Sequence, residues 1–219
     1  MPPRCRFEQS GPVRSPLCPL GHIADYQELL ERFNGQESAV LPFRYAYPNA
    51  TVVHLRSNVY VCAHLDDEAM VAARIGAVLD CVTVLARHGL PVDDRHQLHL
   101  RFRRNDGRAN KRRRAETREI RAHWALPARG VPTLSATAAA AYRGNPISRL
   151  ELPLEEALRP ALTSCLSAAE SVKVLDAVLP RIGAAALTDI LAGLPAGTRA
   201  RLRRASPTAA VGDALESLR

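Results

Sequence analysis

The fold of this chain is constrained most by two segments in which apolar and polar residues alternate. A short turn joins these segments, and a helix signal follows directly after them. Thr51–Leu55 and Val59–Ala63 alternate apolar and polar residues across the turn Arg56–Asn58, which is typical of an antiparallel hairpin. Asp66 and Asp67 follow, and their carboxylates suit the positive end of a helix dipole. The sequence therefore predicts an α+β fold in which an antiparallel sheet carries helices on one face.

Apolar periodicity predicts most of the other elements. A short helix is expected over residues 21–36 and a strand over Ala39–Tyr47. One long helix is expected from Asp66 to Gly89, with an apolar stripe from Met70 to Leu85. The remaining predicted elements are a strand over Gln97–Phe102, a helix around Arg112–Trp124, a helix over Ser167–Ile182, and one or two short helices in Ala184–Arg219.

The predicted organisation has four parts. They are a loose arm over 1–20, a first repeat over 21–91, a basic segment with a degraded second repeat over 92–182, and a helical tail over 183–219. The second repeat is inferred from Tyr142–Pro146, which resembles Phe43–Pro48 about a hundred residues earlier. Two such repeats would share one curved sheet.

Positive charge is concentrated in one segment. The chain carries a net charge of +8, and between Arg101 and Arg121 ten basic residues face only three acidic ones. This excess favours an anionic partner, and nucleic acid, most simply DNA, is the predicted one. The candidate phosphate-binding residues of the segment are Arg101, Arg103, Arg104, Arg108, Lys111, Arg112, Arg113 and Arg114.

Membrane, secretion and metal signals are weak. No apolar run reaches the roughly 18 residues of a membrane span, and the N-terminus, with Arg4 and Arg6, does not read as a signal peptide. We expect no membrane partner and no secretion, but a nuclear location in a eukaryotic or viral setting and a cytoplasmic one otherwise. The five cysteines form no C-x-x-C pair, and His96 and His99 have no third ligand nearby, so neither a metal nor another cofactor is predicted.

Ala39–Ala63, read as AVLPFRYAYPNATVVHLRSNVYVCA, resembles the repeat of the TATA-box-binding protein family. Arg44, Pro48, Thr51, Ser57 and the pair Val61-Cys62 match its strand motifs, and the resemblance covers residues 20–91 well and 97–182 poorly. It implies a saddle whose concave face lies on the minor groove of DNA, as in the known family. The sheet residues that would touch DNA are Arg44, Thr51, Val53, Leu55, Ser57 and Val61, in a transcription factor that also contacts other transcription proteins.

Several departures from that family affect the implied DNA contacts. Ser38 and Leu55 stand where the first repeat has wedge phenylalanines, and Val59 replaces a lysine expected near phosphate. In the second copy, Pro153 and Glu155 occupy a wedge position and a phosphate-contact position. The resemblance therefore implies a relative with altered or lost TATA recognition.

Two alternatives to DNA binding remain open. Val59–Glu68, VYVCAHLDDE, also resembles the A-H-P-D-D-E motif of zinc-dependent N-acetylglucosaminyl deacetylases, which would make His64 and Asp67 zinc ligands and Asp66 the general base. Leucine replaces the proline of that motif, and no later H-x-x-H follows. The other alternative is an adaptor whose apolar tail helices bind a partner protein. The sequence favours a binding protein over an enzyme.

Overall fold

The chain divides into two compact units that are interleaved along the sequence. The computed structural model describes residues 15, 17, 23–44, 52–56, 59–93, 97–102, 107–124, 150–205 and 208–218. Unit 1 comprises Met1–Leu79, Leu100–Thr117 and Ala122–Glu151, and unit 2 comprises Asp80–His99, Arg118–Arg121 and Leu152–Arg219.

A three-stranded antiparallel sheet and helices make up most of what is described of unit 1. In chain order the elements are β1 (Ile23–Asp25), α1 (Tyr26–Arg32), α2 (Glu37–Arg44), β2 (Val52–Arg56), β3 (Val59–Cys62), α3 (Asp67–Ile75) and β4 (Val78–Leu79). The first sheet has the order β1-β3-β2. Val53 faces Val61 across the β2–β3 pair, and a bulge lies between His54 and Arg56. The predicted hairpin is confirmed.

Helix signals around the hairpin are partly confirmed. Asp66 caps α3, because its side chain accepts a hydrogen bond from the backbone N–H of Ala69 at 2.9 Å. The helix expected over residues 21–36 is shorter than predicted, because β1 precedes it and Asp25 caps α1 in a capping box.

Two predictions in this region were wrong. The strand expected over Ala39–Tyr47 is helix α2 up to Arg44, with Glu37 in the first turn where it complements the helix dipole. The long helix expected from Asp66 to Gly89 is two helices, because Gly76 adopts a left-handed conformation at φ 88° and ends α3. Strand β4 and the second helix, α4 (Cys81–Arg87), follow this break.

The second sheet contains the strand predicted over Gln97–Phe102. Its order is β4-β5-β6, where β5 is Leu98–Phe102 and β6 is Ile120–Trp124. The helix expected around Arg112–Trp124 was wrong: helix α5 is Gly107–Arg114, and the chain then turns into β6. The described residues form two separate three-stranded sheets, not the one curved sheet that was predicted, and Tyr142–Pro146 of the predicted second repeat lies outside them.

Unit 2 is mainly helical and has a large apolar core. After α4 come α6 (Leu154–Pro160), a π-helical turn (Ala161–Cys165), α7 (Ala168–Ala192), α8 (Ala196–Arg204) and α9 (Ala209–Glu216). Ser167 caps α7 in a capping box, and Gly183, at φ 81°, kinks it. The predicted amphipathic helix and helical tail are confirmed. Residues of α4, α6, α7, α8 and α9 share one buried cluster.

Within the described ranges, none of the helices is both long enough and apolar enough to cross a membrane.

Candidate functional site

Helix α5 holds most of the basic residues that the sequence singled out. Five of its eight residues are basic and none is acidic. Arg108, Lys111 and Arg114 are exposed. Residues three apart are neighbours on a helix, so these three cations form one continuous strip along α5. We call Arg108, Lys111 and Arg114 the α5 strip.

The other two cations of α5 are engaged within unit 1. Arg112 Nε donates to the carbonyl of Ile75, the last residue of α3, at 2.6 Å. Arg113 donates to Asn110 Oδ1, with the shorter contact at 3.1 Å. Arg112 and Arg113 therefore help to hold and shape α5, which leaves the α5 strip as the part that faces solvent.

An ion pair just after α5 engages Glu116, the first acidic residue that follows the helix. The guanidinium of Arg74 donates to both carboxylate oxygens of Glu116, each at 2.8 Å. Two parallel N–H···O bonds make this the stronger, geometrically specific kind of ion pair. It also joins α3 to the segment that follows α5.

The other predicted DNA-binding residues whose side chains the structure describes do not form an exposed face. Val61 is fully buried, and Val53 and Leu55 are partly buried. Arg44 ends helix α2 instead of lying on a strand, and Arg101 is partly buried on β5. The predicted residues that lie outside the described ranges are Thr51, Ser57, Arg103 and Arg104.

Trp124 is an exposed aromatic side chain in unit 1. It lies at the end of β6, where 42% of its surface is exposed. Its ring packs against Phe102 with 5.2 Å between the ring centroids. This contact supports one side of the indole and leaves it available as a stacking surface.

A second basic helix, α8, has a different role. Arg199 Nη1 donates to the carbonyl of Leu194 at 2.7 Å, and Arg203 Nη2 to that of Leu215 at 2.7 Å. Arg201 donates to the carbonyls of Leu162 and Leu166. These arginines satisfy carbonyls at helix ends and are structural. High arginine content alone therefore does not mark a binding surface.

The deacetylase-like motif forms a helix start. Asp66 caps α3, Asp67 is the exposed first residue of that helix, and His64 lies in the turn before it. The group of potential metal ligands found among the described residues contains none of the three. Helix capping explains the position of the Asp66 carboxylate. Among the described residues, the motif gains no zinc ligand beyond His64 and Asp67, the two that the sequence suggested.

Three cysteine and histidine side chains of unit 2 come together although they are far apart in sequence. Cys81 begins α4, His99 lies on β5, and Cys165 ends the π-helical turn. Their ligand atoms all lie within 4.8 Å of one another. Cys81 and His99 are buried and Cys165 is partly buried. We call these three residues the Cys–His group.

The backbone around the Cys–His group is strongly constrained. Cys81 has φ 51°, a left-handed conformation that is uncommon for a residue with a side chain. The buried Asp80 carboxylate accepts a hydrogen bond from the Cys81 N–H at 2.7 Å. His99 is held on both sides, because its N–H donates to Thr83 Oγ1 at 2.8 Å and its carbonyl accepts from the Asp80 N–H at 3.0 Å.

Burial raises the pKa of the Cys81 thiol well above its ordinary value. A hydrogen bond with the Cys165 thiol and the charges of Cys165 and Asp80 act in the same direction. These neighbours and the burial therefore favour the neutral form of the Cys81 thiol.

Sequence reasoning missed the Cys–His group. Its members have no ligand spacing, since they are distributed from residue 81 to residue 165. One signal was present: His99 lies between two leucines in an apolar strand, where a polar ring needs partners.

Comparison of the chain with protein-family models, curated proteins and solved structures gives no match.

Proposed function

We propose that this protein binds nucleic acid, without strong sequence preference, through the α5 strip. The observation that carries the proposal is the separation of roles on α5: Arg112 bonds to α3 and Arg113 to Asn110 within the helix, while Arg108, Lys111 and Arg114 are exposed together. A fixed helix with a cationic strip is suited to contact successive phosphates. Such contacts supply affinity and position but carry no sequence information.

The charge balance of the whole chain supports this proposal. Seven of the eight net positive charges come from Arg101–Arg121, and the nearest acid after α5, Glu116, is paired with Arg74. The potential around the strip is therefore positive and attracts polyanions.

Trp124 adds a second kind of contact in unit 1. Exposed aromatic rings bind unpaired bases by stacking, and this contact tolerates any base. Phe102 already packs against the indole, so its orientation is fixed before binding. We therefore include single-stranded nucleic acid, or a duplex with unpaired bases, among the ligands.

The proposed binding by α5 requires no saddle-shaped sheet. A relationship to the TATA-box-binding protein family, a role with other transcription proteins and a nuclear location stay predictions. A function in binding, with no enzymatic activity, is likewise a prediction.

Replacing the α5 strip with alanine (Arg108→Ala, Lys111→Ala, Arg114→Ala) is expected to weaken the affinity for nucleic acid at least about tenfold, because phosphate contacts are lost. The factor should be similar for oligonucleotides of unrelated sequence. Fluorescence anisotropy with labelled duplex and single-stranded oligonucleotides at low salt measures the affinity. The melting temperature should stay close to that of the parent, because exposed positions contribute little to stability.

The matched control removes the same charges elsewhere. Arg159, Lys173 and Arg204 are two exposed arginines and one exposed lysine of unit 2, and their alanine triple variant has the same net charge as the α5 variant. This control should bind like the parent. Equal weakening by both triple variants would contradict a localised site and leave only general charge attraction.

Trp124 is the single tryptophan of the chain, so intrinsic fluorescence reports on it alone. Single-stranded oligonucleotide is expected to quench this fluorescence in a saturable way, and Trp124→Ala is expected to weaken single-strand binding by about 1–3 kcal/mol. Binding of duplex should change much less. Saturated binding with unchanged fluorescence would show that the indole does not stack on the bases.

A further inference from the structure

We propose that the protein binds one zinc ion through Cys81, His99 and Cys165, all of unit 2. The starting observation is the closeness of the Cys–His group, whose ligand atoms come from a helix start, a strand and a π-helical turn and lie within 4.8 Å of one another. The proposal is independent of nucleic-acid binding by α5.

The distances suit a tetrahedral zinc centre. Zinc lies about 2.3 Å from a thiolate sulfur and about 2.0–2.1 Å from an imidazole nitrogen, so tetrahedral ligand atoms are separated by about 3.5 Å. A set that already lies within 4.8 Å needs shifts of roughly an ångström to reach that geometry. Side-chain rotations of this size do not require the backbone to move.

The donor atoms select the type of metal. Two thiolate sulfurs and one imidazole nitrogen are ligands that zinc prefers in proteins. Calcium and magnesium require oxygen ligands, and the three proposed side chains offer none.

The surrounding structure holds two ligands before any ion arrives. Asp80 connects them, since its carboxylate accepts from the Cys81 N–H and its own N–H donates to the His99 carbonyl. The left-handed backbone at Cys81 is the kind of strain found where a side chain must point in one direction. These features fix the thiol and the imidazole relative to each other.

Cys165 is held by a different set of contacts. It ends the π-helical turn, a feature found often at functional sites, and the Leu166 N–H donates back to the Ala161 carbonyl at 2.9 Å. Arg201 donates to the carbonyls on either side, at Leu162 and Leu166. A zinc ion would join this turn to Cys81 and His99, segments of unit 2 that are distant along the chain.

The test is metal content and Co²⁺ spectroscopy of the full chain. Protein purified without chelator, or reduced and reconstituted with zinc, is expected to retain one zinc ion per chain by mass spectrometry under native conditions. Co²⁺ should give the intense visible bands of tetrahedral thiolate coordination, and zinc should raise the melting temperature in a concentration-dependent way. A parent protein that retains no zinc and gives only the spectrum of hydrated Co²⁺ would overturn the proposal.

Variants locate the ion. Cys165→Ser, at a partly buried position, should lose the zinc, whereas Cys62→Ser, at a buried cysteine of β3, should keep it. Should a ligand variant fail to fold, the Co²⁺ spectrum of the parent still decides whether thiolates bind the ion. Zinc lost in His64→Ala but kept in Cys165→Ser would overturn the proposal in favour of the deacetylase-like motif. A Cys81–Cys165 disulfide that persists under reducing conditions would also overturn it.

Discussion

Val61→Asp is expected to lower the free energy of unfolding by at least about 3 kcal/mol. Val61 is fully buried in β3, the central strand of the first sheet, so the new carboxylate would lie in an apolar interior without a partner. Denaturant unfolding measured by circular dichroism gives the difference.

Leu55→Arg provides the control on the neighbouring strand. Leu55 is partly buried at the bulge of β2, where a long side chain can carry its charge to solvent, so we expect a loss below about 1.5 kcal/mol. A Val61→Asp protein as stable as the parent would contradict the buried hairpin and favour the exposed face of a TATA-box-binding-protein-like saddle. Altered DNA binding by a stable Leu55→Arg protein would favour the same saddle.

Leu191→Ala is expected to destabilise the protein by about 2–5 kcal/mol. Leu191 is fully buried in the second half of α7, beyond the kink at Gly183, and it belongs to the large core cluster of unit 2. Truncation removes the transfer free energy of the side chain and leaves a cavity.

Leu179→Ala, on the first half of the same helix, is the matched control for Leu191→Ala. Leu179 packs against the cluster but stays partly exposed, so its loss should cost about 1 kcal/mol. Equal, small effects at both positions would contradict the packing of the helix beyond Gly183 into the core.

Local signals in the sequence predicted local structure well. The alternation in Thr51–Ala63 predicted the β2–β3 hairpin, and Asp66 and Ser167 predicted helix starts that the structure contains. These features depend on neighbours a few residues away, so one sequence contains the needed information.

Predictions failed where two signals competed. The apolar stripe from Met70 to Leu85 continues in register across Gly76, so periodicity favoured one helix although the glycine permitted a left-handed end. Similarly, Arg112–Trp124 was assigned to one helix, while the chain ends α5 at Arg114 and pairs Ile120–Trp124 as a strand. The left-handed glycine decided the first case, and strand pairing of Ile120–Trp124 decided the second.

The candidate sites differ in how far sequence could reveal them. Charge density identified α5, but only the contacts of Arg112 and Arg113 separate its structural cations from its exposed ones. The Cys–His group depends on the meeting of Cys81, His99 and Cys165, and that meeting is a property of the fold alone.

The salt dependence of binding tests the central claim, nucleic-acid binding by the α5 strip, most directly. Each neutralised phosphate contributes about 0.9 to the slope of log affinity against log salt for duplex DNA, so loss of three contacts should reduce that slope by about 2.7. We expect this reduction for the Arg108, Lys111 and Arg114 variant and none for the Arg159, Lys173 and Arg204 variant. The same affinity and the same slope for the α5 variant and the parent would contradict the claim.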